Sequence, residues 1–437
     1  MTTQVDHLRD GGGSRADGAR TVSSFWRKLA NVEDRLFTER QVRLYAAGAV
    51  FAYVITFVWW GLHQGHWLIG PDGKLLTMDF CWIWVSGHFA ASGEPAQSFN
   101  PALFSAVYEA LFPPGQCTYQ FRQFYDYPPT FLFFTYPLGL LPYLAAYAAW
   151  MLATAALYSA GVYAIIPRRA AVIAALAPYP VFVNILLGHN GFLTAGLIGL
   201  SLASMERQPK RSGIFLGLLT YKPQFGVLFP LALLASRNWR TFASATAATL
   251  ALGVAATFAF GRQAWPSFID TLTDRSAGFG QDVGMNVRLD SIYGLLHAVD
   301  APVWLAWEIH GSVAIVVAIV VCVAWAKPLP HALKAAILCI AAVVVTPYVL
   351  PYDLCVLSVA VAFLVKDGLT RGFLPGERIL MLLSFGSLFR VVMAPPIAPI
   401  VCAVLLGIVV RRMVAIHTRG SASNEDVTDR ARRCLSA

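Results

Sequence analysis

The chain has 437 residues, of which 57% are hydrophobic and 13% charged, with a mean hydropathy of +0.58. Soluble domains run nearer about 45–50% apolar and about 25% charged, so these proportions exclude a soluble globular protein and indicate an all-α polytopic membrane protein. The formal net charge of +9 is the excess expected of basic cytoplasmic loops and does not point to nucleic acid.

Residues 1–43 open with "MTTQVDHLRDGGGSRADGARTVSS", polar and Gly-rich, without the apolar core of a signal peptide. They read as a disordered cytoplasmic tail. Residues 44–62, "LYAAGAVFAYVITFVWWGL", form the first span, and Arg40 and Arg43 at its head place that end inside. A partly apolar segment, 63–142, follows as a first external loop with interfacial helices. In it, Asp79 precedes the aromatic "FCWIWVSGHFAASG", an amphipathic interfacial helix that Asp79 would N-cap. "YPPTFLFFTYPLGLLP" closes the loop and lies at the outer interface, or dips into it, without crossing. Apolar runs then occur at 143–166, 170–187, 191–205, 212–221 with 223–236, and 241–260. A second external loop occupies 261–302. The last runs are 303–326, 332–348, 352–365, 379–393 and 396–410, and 411–437 is a cytoplasmic tail.

Arg168–Arg169, "ERQPKR" at 206–211, Arg237, Arg240, Lys327, Lys366, Arg371, Arg378 and Arg411–Arg412 belong on the cytoplasmic side. They do so together only if 212–236 is a hairpin broken at "YKPQ". The run 212–221 is short for a crossing, but broken helices are tolerated where they line a protein cavity. The count is then about twelve crossings, seven before the second loop, with both termini inside.

This topology collects unusual polar groups on the outer side. They are Asp79; Tyr127 in "YDYPP"; His189 and Asn190 in "GHNG"; Lys222 and Gln224 in "YKPQ"; Arg288 in "GMNVRLDSIYGLL"; and Tyr352 and Asp353 in "TPYVLPYDL". Each has a plain reading too. Asp79 suits a helix cap, "GHNG" a tight turn, Tyr352 an interfacial anchor and Arg288 a solvated loop. Lys222 and Asp353 resist such readings, because an ionisable group within an apolar run needs a partner or a ligand. His88, His297 and His310 read as packing residues.

An outer carboxylate and a buried cation are the minimum set for transfer onto a hydroxyl. A carboxylate accepts the acceptor's proton, and Lys or Arg offsets charge on a departing phosphate. No Gly-rich nucleotide loop occurs, which favours a lipid-linked donor over a nucleotide sugar. The seven cysteines form no CxxC or Cys/His cluster, and no zinc, haem or redox cofactor is expected. Cys81 and Cys117 share the first loop; a disulfide and two unrelated small residues are both open readings. Asp72, Asp79 and Glu94 offer oxygen ligands for a divalent metal, without a spacing that defines a site. The alternative function is a lipid or sugar-lipid flippase without chemistry. It predicts an internal repeat and polar groups on both faces, and the chain has neither.

Five stretches, "MDFCWIWVSGHFAASGEPAQSFNP", "YDYPPTFLFFTYPLGLLP", "LLGHNGFLTAGLIGLSL", "SGIFLGLLTYKPQFGVLFPLALLASRNWR" and "TPYVLPYDLCVL", resemble the GT-C class of integral-membrane glycosyltransferases, and within it glycosyltransferase family 87. The likeness covers most of 44–410 and is strongest over 76–240. It implies a GT-C-like fold with a seven-helix N-terminal module and Asp79 as catalytic base. It implies transfer of mannose or another sugar from a polyprenyl-phosphate donor to an envelope glycan or glycolipid, usually with inversion. The site would face the exterior of a bacterial inner membrane, with the "YKPQ" turn toward the donor phosphate. The family's characterised actinobacterial members carry a His in the late outer turn, where this chain reads "PYVLPYDL".

Overall fold

The computed structural model describes residues 11–64, 78–111, 125–278, 289–387 and 396–435. Among them there is no strand. The helices are α1 (Gly11–Leu36), α2 (Glu39–Gln64), α3 (Met78–Ala91), α4 (Pro101–Leu111), α5 (Leu132–Gly139), α6 (Tyr143–Ile165), α7 (Arg169–Ala175), α8 (Tyr179–Leu187), α9 (Gly191–Ser204), α10 (Pro209–Leu218), α11 (Pro223–Gly226), α12 (Leu228–Ala235), α13 (Trp239–Phe260), α14 (Ala264–Gly278), α15 (Ile292–His297), α16 (Val303–Ala326), α17 (His331–Val344), α18 (Cys355–Arg371), α19 (Glu377–Ser387) and α20 (Ala398–Leu435).

Among the described residues, five helices are long and apolar enough to cross a membrane: α2, α6, α13, α16 and the first part of α20. α7 and α8 would make a sixth span, bent by 67° at "APYP", where Pro178 and Pro180 deny the helix its backbone donors. α9 and α17 are apolar but shorter and almost wholly buried in protein. α5 reaches only about 12 Å, so it does not cross, as the "YPPTFLFF" reading requires.

Close helix pairs set the chain directions. The Trp150 indole donates to the His189 carbonyl at 3.3 Å, and further along Gly161 faces Gly196 and Gly199. α6 and α9 therefore run parallel. Gly191 meets Tyr352, and Gly199 meets Val359, so α18 runs the same way. The Ser244 hydroxyl donates to the Lys210 carbonyl at 2.7 Å, Gly213 sits on Thr241–Ala245, and Gly217 sits on Ala248–Thr249. α10 and α13 are thus parallel too, and the chain between them must return. The segment 212–236 is a hairpin turning at "YKPQ". All these directions put 188–191, 221–224 and 346–354 at one end of the bundle. The basic turns lie at the other, where a His331 ring nitrogen is 2.7 Å from the Leu202 carbonyl.

Two expectations change. α3 has no polar face: every residue from Phe80 to Ala91 is buried or half-buried. Its backbone touches α5 directly, and a Cβ on Gly87 would overlap the Thr135 carbonyl oxygen. The tails are also not disordered throughout. Glu33 on α1 is fully buried and accepts from the Gly376 and Ile379 amides at 2.8 and 2.9 Å, satisfying donors left open at the head of α19. Beyond 410, α20 continues to Leu435, with Arg412 buried against Asp367 at 2.7 Å and paired with Glu377. Cys81 is buried, its sulfur 3.3 Å from the Tyr143 hydroxyl; Cys117 lies outside the described residues.

Candidate active site

The "GHNG" loop is built by its glycines. Gly188 ends α8 at φ +71, a left-handed conformation open to Gly. The Gly188 and His189 amides both donate to the Asn184 carbonyl, at 2.9 and 3.2 Å. Gly191 opens α9 under the Tyr352 backbone. Its amide donates to the Asn184 side-chain oxygen at 2.8 Å, and a Cβ there would overlap the Tyr352 carbonyl oxygen. Gly191→Ala should therefore push the loops apart. Overpacking of this kind costs about 1–3 kcal/mol, so thermal midpoint and turnover should both fall. A variant as stable and active as the parent would mean the contact relaxes freely.

Lys222 breaks the hairpin at Pro223 and is 3% exposed. Its ammonium donates to Asp353 Oδ1 at 2.5 Å and to Asn190 Oδ1 at 3.0 Å, and it lies 5.3 Å from the Phe225 and Tyr352 ring centroids. Asp353 is equally buried. Its other oxygen accepts from the Leu350 amide at 3.2 Å, which closes the "LPYD" turn. Burial raises the Asp353 carboxyl, and Lys222 opposes that rise.

Lys222 also orients Asn190. With its oxygen held by the ammonium, the Asn190 amide nitrogen donates to the Tyr127 hydroxyl at 2.7 Å. His189 Nδ1 lies 2.8 Å from the Asn190 backbone amide and 3.0 Å from Asn190 Oδ1, and Nε2 lies 3.4 Å from the same Tyr127 hydroxyl. Burial, and then Lys222, hold His189 well below the ordinary histidine range, which keeps the ring neutral. The Tyr127 oxygen thus accepts from Asn190 and keeps its own proton for a second partner. Burial raises its phenol well above the usual range, so that proton stays. Tyr352 stacks on the His189 ring at 3.8 Å and 15°.

Asp79 lies in the first described turn of α3 and is itself helical, not an N-cap. A carboxylate suits that turn, where backbone amides point outward. Asp79 is half-buried. The neighbouring Phe80 packs on the "GHNG" loop so closely that a Cβ on Gly188 would lie 2.5 Å from the Phe80 Cβ. The Tyr352 phenol is raised by burial first, then by the charges of Asp353 and Asp79.

The structure thus brings together Asp79, Tyr127, His189, Asn190, Lys222, Tyr352 and Asp353. Gln224 joins only through its backbone, whose carbonyl accepts from Thr346 at 3.2 Å. Arg288 and Asp72 lie outside the described residues. Asp79 and Glu94 flank opposite ends of α3, about 20 Å apart by helix rise, and so do not form one ligand set. Among the described residues no three His, Cys, Asp or Glu side chains are grouped to hold a metal.

Two contributors escape the sequence reading. Asn184, a lone amide in "VFVNILL", braces Gly191; its position inside an apolar run is the available signal. Tyr221 hydrogen-bonds Thr194 at 2.6 Å and stacks on Phe131 at 4.8 Å, which fixes the "YKPQ" turn against "YDYPPTF".

No curated protein and no solved structure matches the chain. The family model described as Glycosyltransferase family 87 matches residues 124–347, from just before "YDYPP" to the start of "PYVLPYDL". That match spans just over half of the chain and contains Tyr127, His189, Asn190 and Lys222, and the chain belongs to glycosyltransferase family 87.

Proposed function

We propose that this membrane glycosyltransferase takes a sugar from a polyprenyl-phosphate donor and transfers it to a hydroxyl of an envelope glycan or glycolipid. The reaction would occur at the outer face of a bacterial inner membrane, in a GT-C-like fold of about twelve crossings. One observation carries the reading: Asp79, at the head of α3, shares one end of the bundle with the buried Lys222–Asp353–Asn190–Tyr127 set, opposite the basic turns. Asp79 takes the proton of the acceptor hydroxyl. The acceptor oxygen attacks the anomeric carbon and inverts it. The bond from that carbon to the phosphate oxygen breaks, and polyprenyl phosphate leaves with one more negative charge. Tyr127 turns its hydroxyl proton toward a phosphate oxygen, and the Lys222 charge lies behind it.

The test supplies purified protein with a labelled polyprenyl-phosphate sugar and envelope lipid extract, and follows formation of a labelled glycoside. Translocation of the lipid between leaflets with no glycoside formed would overturn the proposal in favour of a flippase. Tyr127→Phe removes one hydrogen bond to a charged group, worth about 1.5–3 kcal/mol, or about tenfold to a hundredfold in rate. It should lower kcat beyond what its effect on the fold explains: the Asn190 amide loses its buried acceptor, which costs about 1–3 kcal/mol of stability, so the rate is read below the variant's thermal midpoint. Unchanged kcat would remove Tyr127 from the chemistry.

A further inference from the structure

The N-terminal helix presents a face the glycosyl-transfer reading leaves unused. Over residues 24–36, α1 sorts its side chains into four directions at about 100° per residue. Glu33 and Trp26 point toward the bundle: Glu33 binds the head of α19, and the Arg411 guanidinium lies 5.4 Å over the Trp26 ring. About 90° away, Phe25, Val32 and Leu36 form one stripe. These three are 58%, 46% and 41% exposed, an apolar stripe that the rest of the described chain leaves uncovered. Beyond the stripe, on the flank away from the protein, lie exposed Lys28 and Arg35. Opposite the stripe are exposed Arg27, Asn31 and Asp34, the last paired with Arg378 of the bundle.

Only Phe37 and Thr38 separate α1 from α2, a span whose side chains are almost all open to the surroundings. Leu44, Phe51, Val54, Trp59 and Leu62 are each more than half exposed, as lipid-facing residues are. Arg40 and Arg43 mark the basic end of α2. The seat of α1 is therefore the rim where α2 enters the membrane. A helix with one side against protein, an apolar stripe at right angles, a basic far flank and a polar back fits a membrane boundary. Its stripe enters the acyl region and its Lys and Arg reach the headgroups.

We propose that residues 24–36 form an in-plane anchor that binds anionic phospholipid headgroups through Lys28 and Arg35, with Phe25, Val32 and Leu36 inserted in the bilayer. Glu33 is the pin that sets its roll angle. The anchor is independent of the transfer chemistry at the far end of the bundle.

The experiment uses the full chain in nanodiscs of phosphatidylcholine, with and without phosphatidylglycerol, and reads amide exchange over 24–36 together with the anionic lipids retained in native mass spectrometry. The parent should show several-fold slower exchange over this segment when phosphatidylglycerol is present, and should retain bound phosphatidylglycerol. Inorganic phosphate added to phosphatidylcholine discs should not slow exchange, since a free anion brings no acyl boundary. Lys28→Gln with Arg35→Gln, both at exposed positions, should abolish the lipid dependence and lower the retained lipid, while glycosyl transfer stays at the parent level. Equal exchange in both discs, protection by free phosphate alone, or an unchanged lipid count in the double variant would each overturn the proposal.

Discussion

Asp79→Asn should lower turnover by at least about a hundredfold, the lower bound for loss of a general base, with the thermal midpoint nearly unchanged. The substitution keeps the side-chain volume and removes the charge. Asp79 occupies the first turn of α3, where a negative charge contributes about 0.3–1 kcal/mol through the helix dipole. A loss confined to that interaction would shift stability slightly and leave the rate intact. A base lost from the reaction would do the reverse. The split between midpoint and kcat thus separates the two roles, which the same carboxylate can combine in one protein. A glutamate at this position offers a second arm. Asp79→Glu keeps the base and displaces it by one methylene, so it should retain more activity than Asp79→Asn while losing part of it through misplacement. Near-parental turnover of Asp79→Asn would end the assignment of Asp79 as base.

Much of the helical frame is legible in the sequence, because apolar runs in membrane proteins end where turn residues and charges begin. The run read as 191–205 is the helix Gly191–Ser204, and the run 241–260 is Trp239–Phe260. The hairpin is legible from charge alone, since only a return at "YKPQ" puts "ERQPKR" and Arg237 on one side. What is not legible depends on partners far away in sequence. Lys222 announces that it has a partner or a ligand, but the partner is Asp353, 131 residues further on. Glu33 reads as one more charge in a polar tail, because nothing near it reveals the open amides of Gly376 and Ile379 that it meets. α3 reads as an interfacial helix on its own, from its aromatic residues. Its burial comes from α5, whose Gly139 lets the two backbones touch, and neither segment alone betrays that contact. Asn190 reads as a binding residue from its motif. It is in addition the hinge of the site, accepting from Lys222 and donating to Tyr127.

The second large effect is expected at the Lys222–Asp353 pair, and it tests what the pair is for. Lys222→Met alone strands Asp353 as a buried carboxylate with only the Leu350 amide beside it. Breaking a buried pair in this way costs about 3–5 kcal/mol, whereas replacing both partners by apolar residues is often neutral. Lys222→Met and Asp353→Leu should each lower the thermal midpoint strongly, and the double variant should recover most of the loss. Two partners in contact are expected to show a non-additive cycle of about 0.5–3 kcal/mol. Activity should behave differently. The double variant has lost the ammonium that orients Asn190, and through it the Tyr127 hydroxyl, so its kcat should stay as low as that of Lys222→Met although its fold is restored. Full activity in the double variant would make the pair a structural clasp and remove Lys222 from the phosphate site. A stable Lys222→Met protein would show that Asp353 does not depend on its cation, and that the aromatic box of Tyr352 and Phe225 around the ammonium accommodates a neutral side chain.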